Sequence, residues 1–265
     1  MEGRRTRDRD CPGEWINSIV PAGASVRRDA CLITCEHGGN RIPAPFRSWF
    51  RDWQSVLATH RGYDLGALPM ARALATALGA NIEISTVSRL LVDLNRSPGH
   101  PRLFSSAIRA APAAVRRDIL AGYYQPYRER VGQVVDGLAG CGRRVVHISS
   151  HSFTPELDGR MRNADIGLLY DPARPGEVRL AARWQAALAA LAPDYLVRRN
   201  YPYRGTGDGV TRHLRRCHPP TAYVGIELEI NQRIFRQPVA HQTRQRDLVI
   251  AALRQALAPS PTGAP

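Results

Sequence analysis

The sequence contains no lysine, so its 37 basic side chains are all arginines, and together with 23 acidic side chains they give a formal charge of +14. The arginines are spread along the chain, with no long basic block and no recognisable nucleic-acid-binding motif. A basic chain is compatible with an anionic partner, but this pattern argues against a nucleic acid. We expect some of the arginines to bind a small anionic substrate instead.

Long apolar runs are also missing. No stretch is long enough to cross a membrane and no N-terminal region resembles a signal peptide, so we predict a cytoplasmic protein with no membrane partner. The five cysteines (residues 11, 31, 35, 141 and 217) are odd in number and lack paired CxxC spacing. That pattern argues against a disulfide framework and predicts reduced thiols. The sequence does not indicate the oligomeric state.

Strands and helices alternate along the chain, which predicts an α/β fold. We expect one domain at 29–257, with a mixed, mostly parallel sheet flanked by helices, between a flexible leader at 1–28 and a disordered tail at 258–265. The predicted strands are 30–35, 81–85, 145–148, 166–170, 194–199 and 221–230, and the predicted helices are 65–78, 113–138, 177–191 and 245–257.

Two of the predicted strands are followed by a histidine. His37 follows the first strand in a glycine-containing loop, and His151 follows a β-branched run and lies among serines. Ligands of open α/β sheets bind beyond the carboxyl ends of the strands. Each histidine is therefore placed like a metal ligand or a catalytic base. A hydrogen-bonded structural role is the alternative.

Acidic residues near these histidines suggest a metal site. Asp64 precedes the helix at 65–78, where it is either an N-cap or a carboxylate ligand in the same cleft. Glu227 and Glu229 alternate on the last strand and face one side, either exposed on an edge strand or buried with a partner. Two histidines and one carboxylate with an open fourth position are a ligand set for catalytic zinc. Glu229 or Glu227 would then take a proton from the activated water that attacks an amide carbonyl.

An apolar run from Arg89 to Arg96 resembles a strand that ends in polar groups. Asp93 and Arg96 are costly to bury unless they are paired, so a structural ion pair is one explanation. The other is that Arg96 or Arg89 binds a substrate carboxylate through its bidentate guanidinium.

Two later segments are expected near the same cleft. Arg160 and Arg162 have alternate spacing and would point to one side of an extended segment, as a solvated pair or as an anion clamp. The glycine-rich segment at 200–209 does not fit a phosphate-binding pattern, and we expect it to close over the cleft.

Seven stretches between about Cys31 and Phe235 carry a family resemblance: CEHGGNRIP, YDLGALPMARALA, VSRLLVDLNR, SSHSFTP, ADIGLLYD, NYPYRGTGDG and GIELEINQRI. In this order they resemble the N-formylglutamate amidohydrolase family. The resemblance implies a fold of the zinc carboxypeptidase and phosphorylase/hydrolase-like type, shared with zinc-dependent cell-wall amidases. It also implies hydrolysis of the amide of an N-formyl or N-acyl amino acid, with N-formylglutamate as the type substrate in amino-acid catabolism.

The resemblance also implies roles for individual residues. Carboxypeptidases place a glutamate ligand close after the first histidine, but this chain has Asn40 at that position. Glu36 is therefore the alternative to Asp64 as the third metal ligand. The implied metal ligands are His37, Asp64 and His151, the implied catalytic carboxylate is Glu229, and the expected substrate-binding residues are Asn95, Arg96, Arg160 and Arg162.

Two other functions remain open. A peptidase or cell-wall amidase of the same fold would use the same residues, although the missing export signal argues against a cell-wall role. A binding protein that keeps the cleft without catalysis is the other possibility, and the retained histidines and carboxylates argue against it.

Overall fold

A computed structural model describes residues 29–259. The predicted leader at 1–28 and the last six residues of the predicted tail, 260–265, lie outside the described residues. None of the described helices is both long enough and apolar enough to span a membrane.

The described chain forms eight strands: β1 (Ala30–Cys35), β2 (Asn81–Ile84), β3 (Val145–Phe153), β4 (Glu156–Leu157), β5 (Arg160–Met161), β6 (Ile166–Leu169), β7 (Val197–Arg199) and β8 (Tyr223–Asn231). Six of them build one sheet in the order β2-β1-β3-β8-β6-β7, and β4 and β5 form a separate hairpin. Within the large sheet, β6 and β8 pair antiparallel and the other neighbours pair parallel. The prediction of a mixed, mostly parallel sheet is confirmed.

Helices cover both faces of this sheet. The α-helices are α1 (Gln54–Leu57), α2 (Ala67–Leu78), α3 (Ser106–Arg109), α4 (Ala113–Ile119), α5 (Gln125–Gly140), α6 (Pro175–Leu191), α7 (Val210–Cys217) and α8 (Val239–Leu257). Short 3-10 helices occupy Ala44–Trp53 and Ile234–Arg236, and a π-helix at Leu120–Tyr124 joins α4 to α5. One apolar layer packs α2, α6 and α8 on the sheet, and a second packs mainly α5 and α7 on the opposite face.

The central strands β3 and β8 are buried on both faces, but their side chains differ between the faces. Val146 and Ile148 of β3 pack into the layer under α2, α6 and α8. Because side chains alternate along a strand, His147, Ser149 and His151 point to the other face. β3 therefore carries a buried polar row that leads to the carboxyl end of the sheet.

Several elements differ from their predicted bounds. β3 continues to Phe153, so His151 lies inside the strand and not after it. The segment 89–96 is a series of turns, so the strand suggested by its apolar run is wrong. Leu91 and Val92 are nevertheless buried there, which explains the apolar pattern. Helix α8 begins at Val239, six residues before the predicted start.

The cysteines follow the predicted redox state only in part. Cys31, Cys35 and Cys217 are free thiols. Cys141 is disulfide-bonded, so the prediction of reduced thiols is wrong at that position.

Candidate metal centre and active site

Three predicted ligands converge at the carboxyl end of the sheet. The Nδ1 atom of His151 lies 2.8 Å from Oδ2 of Asp64, and the Nδ1 atom of His37 lies 3.3 Å from the same oxygen. One ligand atom from each residue can be chosen so that all three lie within 4.8 Å of one another. All three residues are buried. Distant parts of the chain therefore form one compact candidate metal site.

Local structure explains how Asp64 reaches this site. Its backbone N–H donates to the carbonyl oxygen of His37 at 2.9 Å, which holds the two residues together. Gly66, at φ +80°, turns the chain into α2 and is the N-cap residue of that helix. The alternative that Asp64 is the N-cap is therefore wrong, and its carboxylate is left to face the two histidines.

The donor set fits a zinc ion. Imidazole nitrogens and a carboxylate oxygen are ordinary zinc ligands, with bond lengths of about 2.0–2.2 Å that place neighbouring ligands of a tetrahedral ion about 3.3 Å apart. The observed separations of 2.8 and 3.3 Å from the Asp64 oxygen are close to that spacing. With three protein ligands, a fourth position would stay open for water or substrate.

The second nitrogen of each imidazole faces another carboxylate. Nε2 of His37 lies 2.7 Å from Asp93, and Nε2 of His151 lies 3.2 Å from Glu36. Arg89 contacts both Asp64 and Asp93, so the arginine paired with Asp93 is Arg89 and not Arg96. Ring nitrogens of metal-binding histidines commonly have such carboxylate partners.

Electrostatics keep the Asp64 carboxylate ionised. Burial alone raises the pKa of Asp64, but the neighbouring His37, His151 and Arg89 outweigh that effect and hold its pKa below the ordinary range. Burial lowers the pKa of His151, yet its hydrogen bonds to Asp64 and Glu36 raise that pKa well above its usual value. An ionised carboxylate is the form that binds a metal.

Glu229 lies on the strand next to His151 and differs from the other carboxylates. The two residues are register partners in the parallel pairing of β3 with β8. Glu229 is 5% exposed, and its Oε2 atom has no hydrogen-bond partner among the described residues. Burial raises the pKa of Glu229 to about 8, and the negative charges of Asp64 and Glu227 contribute to the increase. A carboxyl group with a pKa near neutrality is suited to proton transfer.

Glu227 is occupied elsewhere. Its Oε1 atom accepts a hydrogen bond from the hydroxyl of Thr211 in α7. Both glutamates lie on β8, which is an internal strand between β3 and β6, so the edge-strand alternative is wrong. Of the two glutamates, only Glu229 has a buried carboxylate oxygen without a hydrogen-bond partner among the described residues. That oxygen is free to accept or donate a proton in the reaction.

Among the predicted arginines, Arg162 lies in an exposed polar cluster with Tyr203. Burial raises the pKa of Tyr203, and the negative charges of Glu229 and Asp64 contribute, which places the tyrosine within electrostatic reach of both carboxylates. The Nη1 atom of Arg162 donates to the hydroxyl of Tyr203 at 3.0 Å, and its guanidinium carbon lies 5.0 Å from the centre of that ring. Tyr203 belongs to the segment 200–209, whose backbone passes directly over Gly167. A Cβ at Gly167 would lie 2.0 Å from the carbonyl oxygen of Tyr201, so only glycine allows this approach.

The other predicted substrate-binding residues are placed differently. Arg96 donates from Nη1 to the carbonyl oxygen of Asp208 at 2.8 Å. Asn95 accepts from the backbone N–H of Val210 at 2.7 Å, and its Nδ2 atom lies 3.4 Å from Nε2 of His151. Both side chains thus link the segment 93–97 to the start of α7. Arg160 is exposed in β5 and has no hydrogen bond or ion pair with the site residues described above.

The comparisons with known proteins identify the family. The model of the family described as N-formylglutamate amidohydrolase matches residues 29–236. The chain belongs to the N-formylglutamate amidohydrolase family. It is therefore a hydrolase of the amidohydrolase type, and the predicted family is confirmed.

Two solved structures agree with this fold. An Agrobacterium tumefaciens gene product superposes with a TM-score of 0.74 at 29% identity, over 86% of this chain and 90% of that one. The N-formylglutamate amidohydrolase from Ralstonia eutropha JMP134 superposes with a TM-score of 0.62 at 22% identity, over 89% of this chain and 95% of that one. A metallo-carboxypeptidase from Burkholderia cenocepacia is more distant, with a TM-score of 0.34 at 13% identity, over 90% of this chain and 57% of that one. No curated protein matches the chain.

Several contacts of this amidohydrolase-family site were not predicted from the sequence. Asp93 was considered only as half of an ion pair, and its hydrogen bond to His37 is new. Ser149 and Tyr203 also contact site residues, the first at His151 and the second at Arg162. The position of Ser149 two residues before His151 on one strand could have indicated a shared face. No comparable pattern marks Tyr203.

Proposed function

We propose that this family member is a zinc-dependent amidohydrolase that cleaves the amide of an N-formyl or N-acyl amino acid with an acidic side chain, such as N-formylglutamate. The observation that carries the proposal is the convergence of His37, Asp64 and His151 beside the buried carboxyl group of Glu229, whose Oε2 atom has no hydrogen-bond partner in the described part of the chain. Family membership supports the amide-cleaving chemistry.

The proposal assigns the metal to His37, Asp64 and His151. When bound there, zinc would polarise the amide carbonyl and lower the pKa of water, which makes a nucleophile available at neutral pH. The three side chains are buried, and one ligand atom from each lies within 4.8 Å of the others, so little reorganisation is needed on binding.

Glu229 is assigned the proton transfers. As a base it would accept a proton from the attacking water, and as an acid it would return the proton to the departing amine nitrogen. Its raised pKa of about 8 allows both protonation states near neutral pH. The neighbouring hydroxyl-bonded Glu227 is not assigned a role in the reaction.

Arg162 is assigned to a carboxylate of the substrate, with Tyr203 beside it. An arginine guanidinium binds a carboxylate through two parallel hydrogen bonds. Tyr203 is 46% exposed, so a ligand can reach this side chain beside Arg162. Arg96 and Asn95 would act by holding the segment 93–97 against α7, and Arg160 is the less favoured second arginine.

The test combines metal analysis with a substrate panel. Purified protein would be assayed for bound zinc and for hydrolysis of N-formyl-L-glutamate, N-acetyl-L-glutamate, N-formyl-L-glutamine and a dipeptide, before and after chelation and zinc restoration. We expect about one zinc per chain and faster hydrolysis of the acidic N-acyl amino acids. A protein that neither binds zinc nor regains activity with it would refute the proposal, and preferential dipeptide cleavage would favour the peptidase alternative.

A further inference from the structure

The segment 200–209 contains no helix or strand, but side chains from two directions hold Gly205 in its middle. Oδ1 of Asn200 accepts hydrogen bonds from the backbone N–H groups of Gly205 and Tyr170, each at 3.0 Å. Nη1 of Arg215, in α7, donates to the carbonyl oxygen of Gly205 at 2.6 Å. Gly205 is buried, and both of its backbone polar groups are therefore satisfied by side chains and not by a regular element.

Arg215 is itself held in one orientation. Its Nε atom lies 2.9 and 3.1 Å from the two carboxylate oxygens of Glu177 in α6, and its Nη2 atom donates to the carbonyl oxygen of Gly225 at 3.0 Å. Glu177 is 0% exposed and accepts further hydrogen bonds from the backbone N–H groups of Asp171 and Gly225. Buried polar networks that are hydrogen-bonded in this way are rigid, so Arg215 fixes the position of Gly205 relative to the sheet.

The far end of the segment is attached as well. The carboxylate of Asp208 accepts hydrogen bonds from the backbone N–H of Ser97 at 2.8 Å and from its hydroxyl at 2.5 Å. Tyr203 lies between these attachment points, two residues before Gly205, and its ring packs against Arg162. The position of the Tyr203 ring therefore depends on where the backbone is held at Gly205.

We propose that Arg215 and Asn200 are positioning residues: they hold Gly205 between them and so keep Tyr203 beside Arg162, which makes the site selective for a substrate carboxylate. This inference rests on the proposed function, which assigns Arg162 to that carboxylate. Arg215 and Asn200 would act through the backbone of the segment and not by touching the substrate.

The consequence is a separation of substrate binding from the chemical step. In the described part of the chain, neither Arg215 nor Asn200 has a hydrogen bond or ion pair with Glu229 or with the three candidate metal ligands. Their loss should leave the reacting groups in place. We therefore expect KM to rise with little change in kcat, and the rise should be confined to substrates that carry an acidic side chain.

Steady-state kinetics of Arg215→Met and Asn200→Gly in the full chain would test this. Glycine at position 200 keeps the observed φ of +51° accessible and removes only the acceptor. We expect KM for N-formyl-L-glutamate to rise by about 3- to 10-fold in each variant, since each loses hydrogen bonds that hold the segment. KM for N-formyl-L-glutamine, which has the same shape without the charge, should change much less.

The matched control is Arg174→Met. Arg174 is as buried as Arg215 and donates to three backbone carbonyl oxygens, but none of these belongs to the segment 200–209. Loss of either buried arginine should lower the stability of the fold. Only Arg215→Met should change KM for N-formyl-L-glutamate, so the comparison separates positioning of the segment from general destabilisation.

Trypsin cleavage after Arg204 gives a readout that needs neither substrate nor metal. Arg204 is exposed and directly precedes Gly205. Mass spectrometry would compare cleavage there with cleavage after Arg160, which is exposed in β5. We expect cleavage after Arg204, relative to that after Arg160, to be faster than in the wild type in Arg215→Met and Asn200→Gly, and unchanged in Arg174→Met.

Unchanged KM for N-formyl-L-glutamate in either folded variant, an equal rise for both substrates, or an equal rise in Arg174→Met would overturn the inference while hydrolysis by the wild type stands. Unchanged cleavage after Arg204 would overturn it too. If Arg215→Met does not fold, Asn200→Gly decides by the same criteria. A wild type that hydrolyses no N-formyl amino acid would instead refute the proposed function, and the selectivity inferred here with it, whereas the trypsin result would still decide whether the segment is held as described.

Discussion

His151 and Glu229 are paired directly across the two central strands, β3 and β8. The pairing places a candidate metal ligand and a carboxyl group with a raised pKa on the same face of the sheet, because side chains at paired positions of parallel strands point the same way. The proposed division of roles, with His151 for the metal and Glu229 for the proton, is therefore consistent with strand register.

The first prediction concerns that division. Glu229→Gln keeps the shape of the side chain but cannot transfer a proton, so we expect kcat to fall by about 100- to 10,000-fold with zinc still bound. Steady-state kinetics together with metal analysis would check this. The matched control is Glu227→Gln on the same strand, for which we expect a much smaller loss. If Glu227→Gln lowered kcat far more than Glu229→Gln did, Glu227 would be the base.

The second prediction concerns the substrate carboxylate. Arg162→Met removes the guanidinium and keeps much of the side-chain length, so KM for N-formyl-L-glutamate should rise by about 10- to 100-fold with little change in kcat. Hydrolysis of a neutral N-formyl amino acid should be affected less. Arg160→Met tests the neighbouring arginine and should leave both constants nearly unchanged. Equal effects of Arg162→Met on acidic and neutral substrates would contradict the assignment.

Tyr203 allows a finer test of the same subsite. Tyr203→Phe retains the ring that packs against Arg162 and removes only the hydroxyl that accepts from its Nη1 atom. We expect a KM effect smaller than that of Arg162→Met and in the same direction, measured on the same acidic substrate. A fall in kcat with unchanged KM would mean that the hydroxyl acts on the reacting groups and not on substrate binding.

The sequence predicted the parts of the site that strand patterns mark. His37 follows the first predicted strand and His151 follows a β-branched run, so both could be placed at the carboxyl end of a sheet. Asp64 stayed ambiguous because an aspartate before a helix is also a common N-cap. In the structure Gly66 is the N-cap, and the hydrogen bond from the Asp64 N–H to the carbonyl of His37 joins segments that the sequence cannot bring together.

The parts that failed depend on tertiary structure. The apolar run ending at Arg96 was predicted to be a strand because it contains apolar residues such as Leu91 and Val92. These residues are buried in a series of turns, and a buried turn has the same apolar composition as a buried strand. Arg96 stays a predicted substrate-binding residue, and the structure adds that its guanidinium donates to the carbonyl oxygen of Asp208, 112 residues away. Such long-range partners leave no local pattern.

The third prediction uses the pH dependence of stability. His147 is fully buried between Thr34 and Tyr223, and burial lowers its pKa from 6.5 to about 4. Between these two values the unfolded chain binds a proton at this residue and the folded chain does not, so stability must fall as the pH falls from about 6.5 to about 4. The contribution of this one group is about 3 kcal/mol over the interval.

Urea unfolding at a series of pH values would measure it in the metal-free protein. We expect His147→Gln to be less stable than the wild type at pH 7 but to lose less stability on acidification, since Gln does not titrate. A variant whose stability falls in parallel with that of the wild type through this interval would show that His147 already titrates normally in the folded state.

The fourth prediction concerns Gln245 in α8, which is 1% exposed and has no hydrogen-bond partner for either amide atom among the described residues. A buried, unsatisfied amide costs about 1–3 kcal/mol, so Gln245→Met, of similar volume, should stabilise the protein by about 1–2 kcal/mol and raise Tm by roughly 2–8 °C. The matched control is Gln242→Met on the same helix. The Gln242 amide donates to the carbonyls of Phe235 and Gln237, so its loss should leave Tm unchanged or lower it. A lower Tm for Gln245→Met would mean that the amide of Gln245 is satisfied in solution.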